Sequence, residues 1–78
     1  MENTHDLKIY PEYFWPVVQG IKTFEIRKND SDFQIGDTLL LREYDPLIEE
    51  YTGNEITKKI IYMTSYAQRE NYTVLAIV

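Results

Sequence analysis

The segment with the most chemical potential in this 78-residue chain reads Gly-Ile-Lys-Thr-Phe-Glu-Ile-Arg, at residues 20–27. Its apolar and polar side chains alternate, and successive side chains of a β-strand point to opposite faces. A strand here therefore places Thr23, Glu25 and Arg27 on one face, with Lys22 at the preceding turn. This group can bind ligand oxygens, relay a proton, or form a solvated ion pair worth about 0–1 kcal/mol.

Further polar candidates lie around the next strand. Asp37 follows Gly36, where it either caps the turn or joins the polar site. In residues 38–44, Thr-Leu-Leu-Leu-Arg-Glu-Tyr, both faces are apolar early and polar late, which is typical of a strand leaving a core toward a rim. The predicted ligand-binding residues are Lys22, Thr23, Glu25, Arg27, Asp37 and Arg42, with Lys22 and Glu25 as the catalytic pair if the protein is an enzyme.

Composition excludes several classes of site. The chain has no cysteine and a single histidine, so we predict no disulfide, metal or cofactor, and we expect His5 to be an exposed residue near a terminus. Thirteen acidic against eight basic residues give a formal charge of −5, which opposes generic binding to a phosphate backbone. Any nucleic-acid ligand must therefore enter a local pocket. No signal peptide or membrane span is visible, which favours a cytoplasmic protein, and we expect a monomer.

Hydrophobic periodicity and turn residues predict one helix and five strands. The strands cover residues 6–10, 23–28, 38–44, 55–64 and 72–78, and the last is apolar enough to be buried on both faces. The helix opens at Pro11 and ends at Gly20, and Pro16 interrupts it. Residues 29–32 form a polar loop, residues 33–37 a turn, residues 45–54 a hairpin tip, and residues 65–71 a polar connection.

Five strands with one short helix are too few for a doubly wound sheet. We predict an α+β, mainly β fold in which residues 1–78 form a single domain. The expected architecture is a small, curved barrel of five to six strands with the helix over one opening, because closure removes exposed sheet edges.

Several motifs resemble those of a family of small bacterial and phage domains, similar to the ASCH branch of the PUA-like superfamily. The resemblance covers nearly the whole chain, and it rests on Leu-Lys-Ile-x-Pro-x-Tyr-Phe at residues 7–14, Gly-x-Lys-Thr-Phe-Glu-Ile-Arg-Lys-Asn-Asp at 20–30, Phe-x-x-Gly-Asp at 33–37 and Leu-Arg-Glu-Tyr-Asp at 41–45.

This resemblance implies a PUA-like β-barrel, a cleft at Lys22, Glu25 and Arg27, and RNA or nucleoside ligands. Some ASCH proteins are amidohydrolases that act on acylated cytidine, with a lysine at the Lys22 position and a threonine three residues later. Glu25 stands at that threonine position here, so the hydroxyl of those enzymes is absent.

Three functional hypotheses follow. The first is a module that binds RNA or a nucleotide, in which Lys22 and Arg27 contact phosphate or carbonyl oxygen and an aromatic residue stacks on the base. The second is an amidohydrolase for modified, N4-acylated cytidine-type nucleosides. The third is a phage or bacterial protein-contact domain that uses Leu47 and Ile48 at the hairpin tip.

Overall fold

The computed structural model describes residues 3–78, which form five β-strands and one short α-helix. In chain order the elements are β1 (Thr4–Ile9), α1 (Pro11–Val18), β2 (Phe24–Lys28), β3 (Thr38–Asp45), β4 (Glu50–Thr64) and β5 (Tyr72–Ile77). The mainly β character and the single helix predicted from the sequence are therefore confirmed.

The strands form one sheet in the order β1-β3-β4-β5-β2. β1 runs parallel to β3, and the remaining neighbours are antiparallel. β4 is long enough to pair with β3 through its first part and with β5 through its second part. The sheet is open: β1 and β2 are its edge strands, and no backbone ladder joins them in residues 3–78.

The core lies on one face of this sheet, where α1 covers it. Phe14 and Val17 are the buried residues of the helix. The sheet and loops contribute Ile9, Phe33, Leu39, Leu41, Ile60, Leu75 and Ile77. In β5 the buried residues alternate with half-buried ones. The prediction that this strand is buried on both faces is therefore wrong, because only one face packs against the core.

The end of the helix follows the predicted glycine stop. The Gly20 amide donates to Val17 O over 3.1 Å and the Ile21 amide to Pro16 O over 2.9 Å, which is the Schellman pattern. Gly20 has φ +76°, a left-handed conformation that glycine adopts without a Cβ penalty. Pro16 lies within α1 and has no amide to donate. Its carbonyl accepts the hydrogen bonds of the Ile21 and Lys22 amides at the end of the helix.

The hairpin between β3 and β4 is tighter than predicted. Its turn occupies residues 46–49, where the Leu47 amide donates to the Asp45 carboxylate over 2.9 Å and Glu49 adopts φ +55°. Gly53, expected in the turn, lies inside β4 with φ +95°. It marks a bulge, because β4 uses three residues between the pairs Arg42–Glu55 and Tyr44–Tyr51 where β3 uses one.

Two smaller differences concern the ends of the predicted elements. β1 begins at Thr4 and ends at Ile9. It stops there because the Tyr10 carbonyl already accepts hydrogen bonds from the first turn of the helix.

At the hairpin tip, Leu47 and Ile48 are 92% and 61% exposed. A protein contact through that tip stays a prediction. Among the described residues, no helix combines the length and apolarity needed to cross a membrane.

Candidate functional site

Strand β2 turns its charged face inward. Glu25 is 4% exposed, whereas Phe24 and Ile26 are 43% and 52% exposed. The alternation predicted for this segment is therefore present, with the apolar side chains on the outer face. Burying a carboxylate is costly unless hydrogen bonds and opposite charge compensate it, so the partners of Glu25 decide whether this arrangement is stable.

Two cations hold the Glu25 carboxylate, one at each oxygen. Lys22 Nζ donates to Oε1 over 2.5 Å, and Arg27 Nε donates to Oε2 over 3.0 Å. The Lys22 and Arg27 side chains are 17% and 23% exposed, so both pairs are largely shielded from solvent. Two positive side chains against one negative side chain give the group a formal net charge of +1.

The end of α1 positions Lys22. Its amide donates to Pro16 O over 3.0 Å, beside the Ile21 amide, which fixes the backbone directly after the glycine stop. Its ammonium donates to Phe24 O over 2.7 Å and lies 4.9 Å from the Phe24 ring centroid. An ammonium group has three N–H donors, so these contacts and the Glu25 bond leave one donor for a ligand.

Arg27 connects the two edges of the open sheet. Its Nη2 donates to the backbone oxygen of Lys8 in β1 over 3.0 Å, while its Nε holds Glu25. A guanidinium has five N–H donors, so three remain for a ligand. The Ile77 amide donates to Thr23 O over 3.0 Å. In an antiparallel pair every second residue of a strand bonds to the neighbouring strand, so the backbone of Ile26, three residues after Thr23, faces away from β5 and into the gap between the edge strands.

A cleft of about 620 Å³ occupies this region. It is lined by Lys8, Ile9, Tyr10, Tyr13, Lys22, Phe24, Glu25, Ile26 and Arg27. Tyr10, Tyr13 and Phe24 are each about half exposed, so aromatic surface borders the cation pair. The volume lies within the range of about 300–1,000 Å³ typical of small-molecule sites. The arrangement suits a flat ligand that carries an anionic group.

Asp37 lies in a separate cluster and not in the lining of the cleft. Its buried carboxylate accepts hydrogen bonds from His5 Nε2 over 2.7 Å and from the amides of Asn3 and Gln34 over 3.1 Å each. The hydrogen bond from His5 is the main cause that lowers the pKa of Asp37 below its ordinary value of 3.8. This carboxylate ties the N-terminal strand to the turn before β3.

His5 is not the exposed residue that we expected. Its side chain is 10% exposed, and its ring lies 4.7 Å from the Phe33 ring. Because 32 residues separate His5 from Asp37, the pattern of neither segment indicates their contact.

Arg42 and Thr23 also lie apart from the lining of the cleft. Arg42 pairs with Asp6 over 3.4 Å and with Glu55 over 3.9 Å, and its guanidinium lies 4.1 Å from the Tyr51 ring centroid. Thr23 is exposed, and its carbonyl accepts the hydrogen bond of the Ile77 amide in β5. Of the six predicted ligand-binding residues, the structure thus brings together Lys22, Glu25 and Arg27. In residues 3–78, no three His, Cys, Asp or Glu side chains are grouped to hold a metal ion.

The cleft includes residues that the sequence reasoning missed. Tyr10 and Tyr13 reach it because α1 begins where β1 ends, and Lys8 contributes a backbone oxygen that no side-chain pattern reveals. Outside the lining of the cleft, the structure buries a second glutamate, Glu43, which the sequence pattern indicates only as a polar residue near the end of its strand. It is 3% exposed and accepts hydrogen bonds from Thr52 and Asn54.

Fold and site together define a small, mainly β domain with a cationic, aromatic-bordered cleft between the two edge strands of its sheet. The chain belongs to the family described as a domain of unknown function, DUF3850, whose model matches residues 4–77. It is also similar to a phage protein, the "uncharacterized 12.9 kDa protein in GpA 3′ region" of Escherichia phage P2. The identity is 33% over 76 residues, which cover 96% of this chain and 68% of the phage protein.

Proposed function

We propose that this domain binds a nucleotide in the cleft, either free or as an unpaired residue of RNA. The observation that carries the proposal is the arrangement of Lys22 and Arg27 around the buried Glu25. Both cations are held in place by the same carboxylate, and together they retain donors for an anion. Fixing both cations before binding reduces the entropy lost when a ligand arrives.

The phosphate would lie against Lys22 and Arg27. The planar guanidinium can address two oxygens of one phosphate, and the ammonium adds a point charge beside it. Glu25 has both oxygens occupied, so its role is to position the two cations. Any direct hydrogen bond from Glu25 to a base would require one of these contacts to break.

The base would stack on an aromatic ring at the border of the cleft. Tyr13 is 51% exposed and Phe24 is 43% exposed, and both rings lie within 6 Å of the Lys22 ammonium. Base–aromatic stacking contributes about 1–3 kcal/mol per base in single-stranded complexes. Trp15 of α1 is not among the residues that line the cleft.

Net charge favours a single nucleotide unit over a long RNA segment. A formal charge of −5 repels a polyphosphate backbone, whereas one phosphate can be neutralised locally by the cation pair. We therefore expect mononucleotides and the ends of short RNAs to compete for one site.

We further propose that the fold is of the PUA-like, ASCH-type barrel class, as the sequence resemblance implies. The support is that the two edge strands lie close together. The Arg27 side chain of β2 donates to the Lys8 carbonyl of β1, where a closed barrel would have a backbone ladder. In this arrangement the cleft lies between β1 and β2, where backbone hydrogen bonds do not close the barrel.

Residue-resolved NMR titration tests the nucleotide proposal. We expect a panel of nucleosides, 5′-mononucleotides and short single-stranded RNAs to shift the backbone resonances of Lys22, Glu25 and Arg27, with mononucleotides stronger than nucleosides. In Arg27→Ala these changes should disappear while the dispersed spectrum of a folded sheet persists. A wild-type spectrum unchanged by the whole panel would contradict the proposal.

A second candidate is the amidohydrolase, and the direct hydrogen bond between the Lys22 ammonium and the buried Glu25 carboxylate favours it. In such a site Glu25 would accept a proton from the water that attacks the acyl carbon, and the Lys22 ammonium would donate a proton to the amine released when the C–N bond breaks. Deacetylation of N4-acetylcytidine by wild type, lost in Lys22→Ala and retained in Arg42→Ala, would support it. Binding of nucleotides without any turnover of that substrate would leave the binding module as the function.

A further inference from the structure

Glu43 is a buried carboxylate of β3. It lies on the core-facing side of β3 with Leu39 and Leu41, and it is 3% exposed. None of the ion pairs formed within residues 3–78 includes it. This contrasts with Glu25, the other buried glutamate, which has a cation at each oxygen.

The hydrogen bonds of Glu43 are concentrated on one oxygen. Thr52 Oγ1 donates to Oε1 over 2.6 Å, and Asn54 Nδ2 donates to the same atom over 3.0 Å. The bulge at Gly53 brings both donors opposite Glu43. Every fully buried side-chain oxygen or nitrogen of residues 3–78 has a hydrogen-bond partner. The Oε2 atom, which accepts none of these bonds, therefore keeps some access to solvent.

Glu43 lies one strand away from the cleft. It is the register partner of Ile9 in β1, and Ile9 lines the cleft. Neighbouring strands are about 4.8 Å apart, and paired residues of parallel strands direct their side chains to the same face. The Lys8 carbonyl that Arg27 contacts is bonded directly to Ile9. Glu43 itself is not among the residues that line the cleft, and Ile9 is 3% exposed, so the base of a ligand held by Arg27 at β1 must enter past Ile9 to reach the free oxygen of Glu43.

We propose that Glu43 is the specificity-determining residue of the cleft: its free oxygen accepts a hydrogen bond from the exocyclic amine of a base. The site then selects nucleotides that carry an amino group over analogues that carry a carbonyl at the same position. This inference rests on the nucleotide-binding function proposed above. It gives Glu43 a role that Glu25 cannot fill, because both Glu25 oxygens already accept bonds from cations.

Two pairs of nucleotides test this contact. AMP and IMP differ at purine C6 and the adjacent N1, and CMP and UMP differ at pyrimidine C4 and the adjacent N3, while phosphate and ribose are shared within each pair. Because a hydrogen bond to a charged acceptor is among the stronger ones, we expect the amino member to bind at least about 10-fold more tightly in at least one pair. Equal affinities within both pairs in the wild-type protein would overturn the inference.

The variant Glu43→Gln tests the residue itself. Its amide oxygen can still accept from Thr52 and Asn54, while an N–H donor replaces the free oxygen. We expect the preference for the amino member to fall to about 1-fold or to reverse, while Glu55→Gln, outside the cleft, preserves it. A preference unchanged in folded Glu43→Gln would also overturn the inference.

The outcomes also separate this inference from the function on which it rests. Binding of all four nucleotides without discrimination rejects the role of Glu43 and preserves the nucleotide site. Failure of all four to bind rejects both. If Glu43→Gln does not fold, the wild-type comparison within each pair still decides whether an amine is selected.

Discussion

Arg27 Nη2 donates to the backbone oxygen of Lys8 over 3.0 Å, and this bond joins the two edge strands of the sheet. The same guanidinium holds Glu25 through Nε over 3.0 Å. One side chain therefore orders the carboxylate at the bottom of the cleft and fixes the separation of its walls.

The first prediction concerns the bridge between the edges. Arg27→Lys keeps the charge, but its single ammonium group cannot donate to both Glu25 and the Lys8 carbonyl in the geometry that the guanidinium provides. We expect the free energy of unfolding to fall by about 1–2 kcal/mol, measured by urea denaturation. Arg42→Lys is the control, since its ion pairs are half exposed and should change stability by less than about 0.5 kcal/mol. Equal losses in the two variants would contradict a special role for the bridge.

The second prediction concerns the buried carboxylate. Glu25→Gln removes the charge that compensates Lys22 and Arg27, which then repel each other at close range. Loss of one partner from a buried charge pair costs about 3–5 kcal/mol, and we expect a destabilisation near the lower end of this range in chemical denaturation, because Lys22 and Arg27 are partly exposed. The exposed Glu70→Gln serves as control and should leave the unfolding midpoint nearly unchanged. A small, similar effect in both variants would show that the group behaves as a surface ion pair.

The third prediction links the helix stop to the site. At Gly20, with φ +76°, an added Cβ meets no atom within 4 Å, so the cost of Gly20→Ala comes from backbone strain alone. That strain is about 1–2 kcal/mol. Because the same turn positions Lys22, nucleotide affinity should fall together with the melting temperature. Gly20→Asn should restore part of both, since asparagine tolerates the left-handed region better. Affinity independent of the residue at Gly20 would argue against this coupling.

The fourth prediction concerns acid unfolding. The pKa of Asp37 is lowered in the folded state, chiefly by the hydrogen bond from His5, so folding favours its charged form. Its contribution to stability is present above the unfolded value of 3.8 and is lost as the pH falls through the lower folded pKa. Urea midpoints between about pH 6 and about pH 2 should therefore drop more steeply in wild type than in Asp37→Asn, so that the two curves approach each other below about pH 4. Parallel curves in that acid range would contradict it.

The local elements of the site could be predicted from the sequence. The alternation in residues 20–27 gave the shared face of Glu25 and Arg27, and Gly20 marked the end of the helix. These features depend on neighbours in the chain, where backbone geometry follows directly from residue type. The burial of the charged face was harder to predict from the sequence, because it depends on hydrogen bonds from Lys22 and Arg27 to both oxygens of Glu25.

The contacts between distant segments could not be predicted in the same way. The parallel pairing of β1 with β3 places Ile9 beside Glu43, and no residue pattern in either strand encodes that choice. The tip of the hairpin was misplaced because glycine and asparagine also occur at bulges, where Gly53 in fact lies. The pairing of His5 with Asp37 likewise requires the folded chain.

The most direct test of the cleft is the affinity difference between AMP and adenosine, measured by calorimetry in wild type, Arg27→Ala and Arg42→Ala. The account predicts that wild type and Arg42→Ala bind AMP at least about 10-fold more tightly than adenosine, because the phosphate contacts the cation pair. In Arg27→Ala that difference should largely vanish while the protein stays folded. An AMP preference that persists in Arg27→Ala, or that disappears in Arg42→Ala instead, would contradict the account.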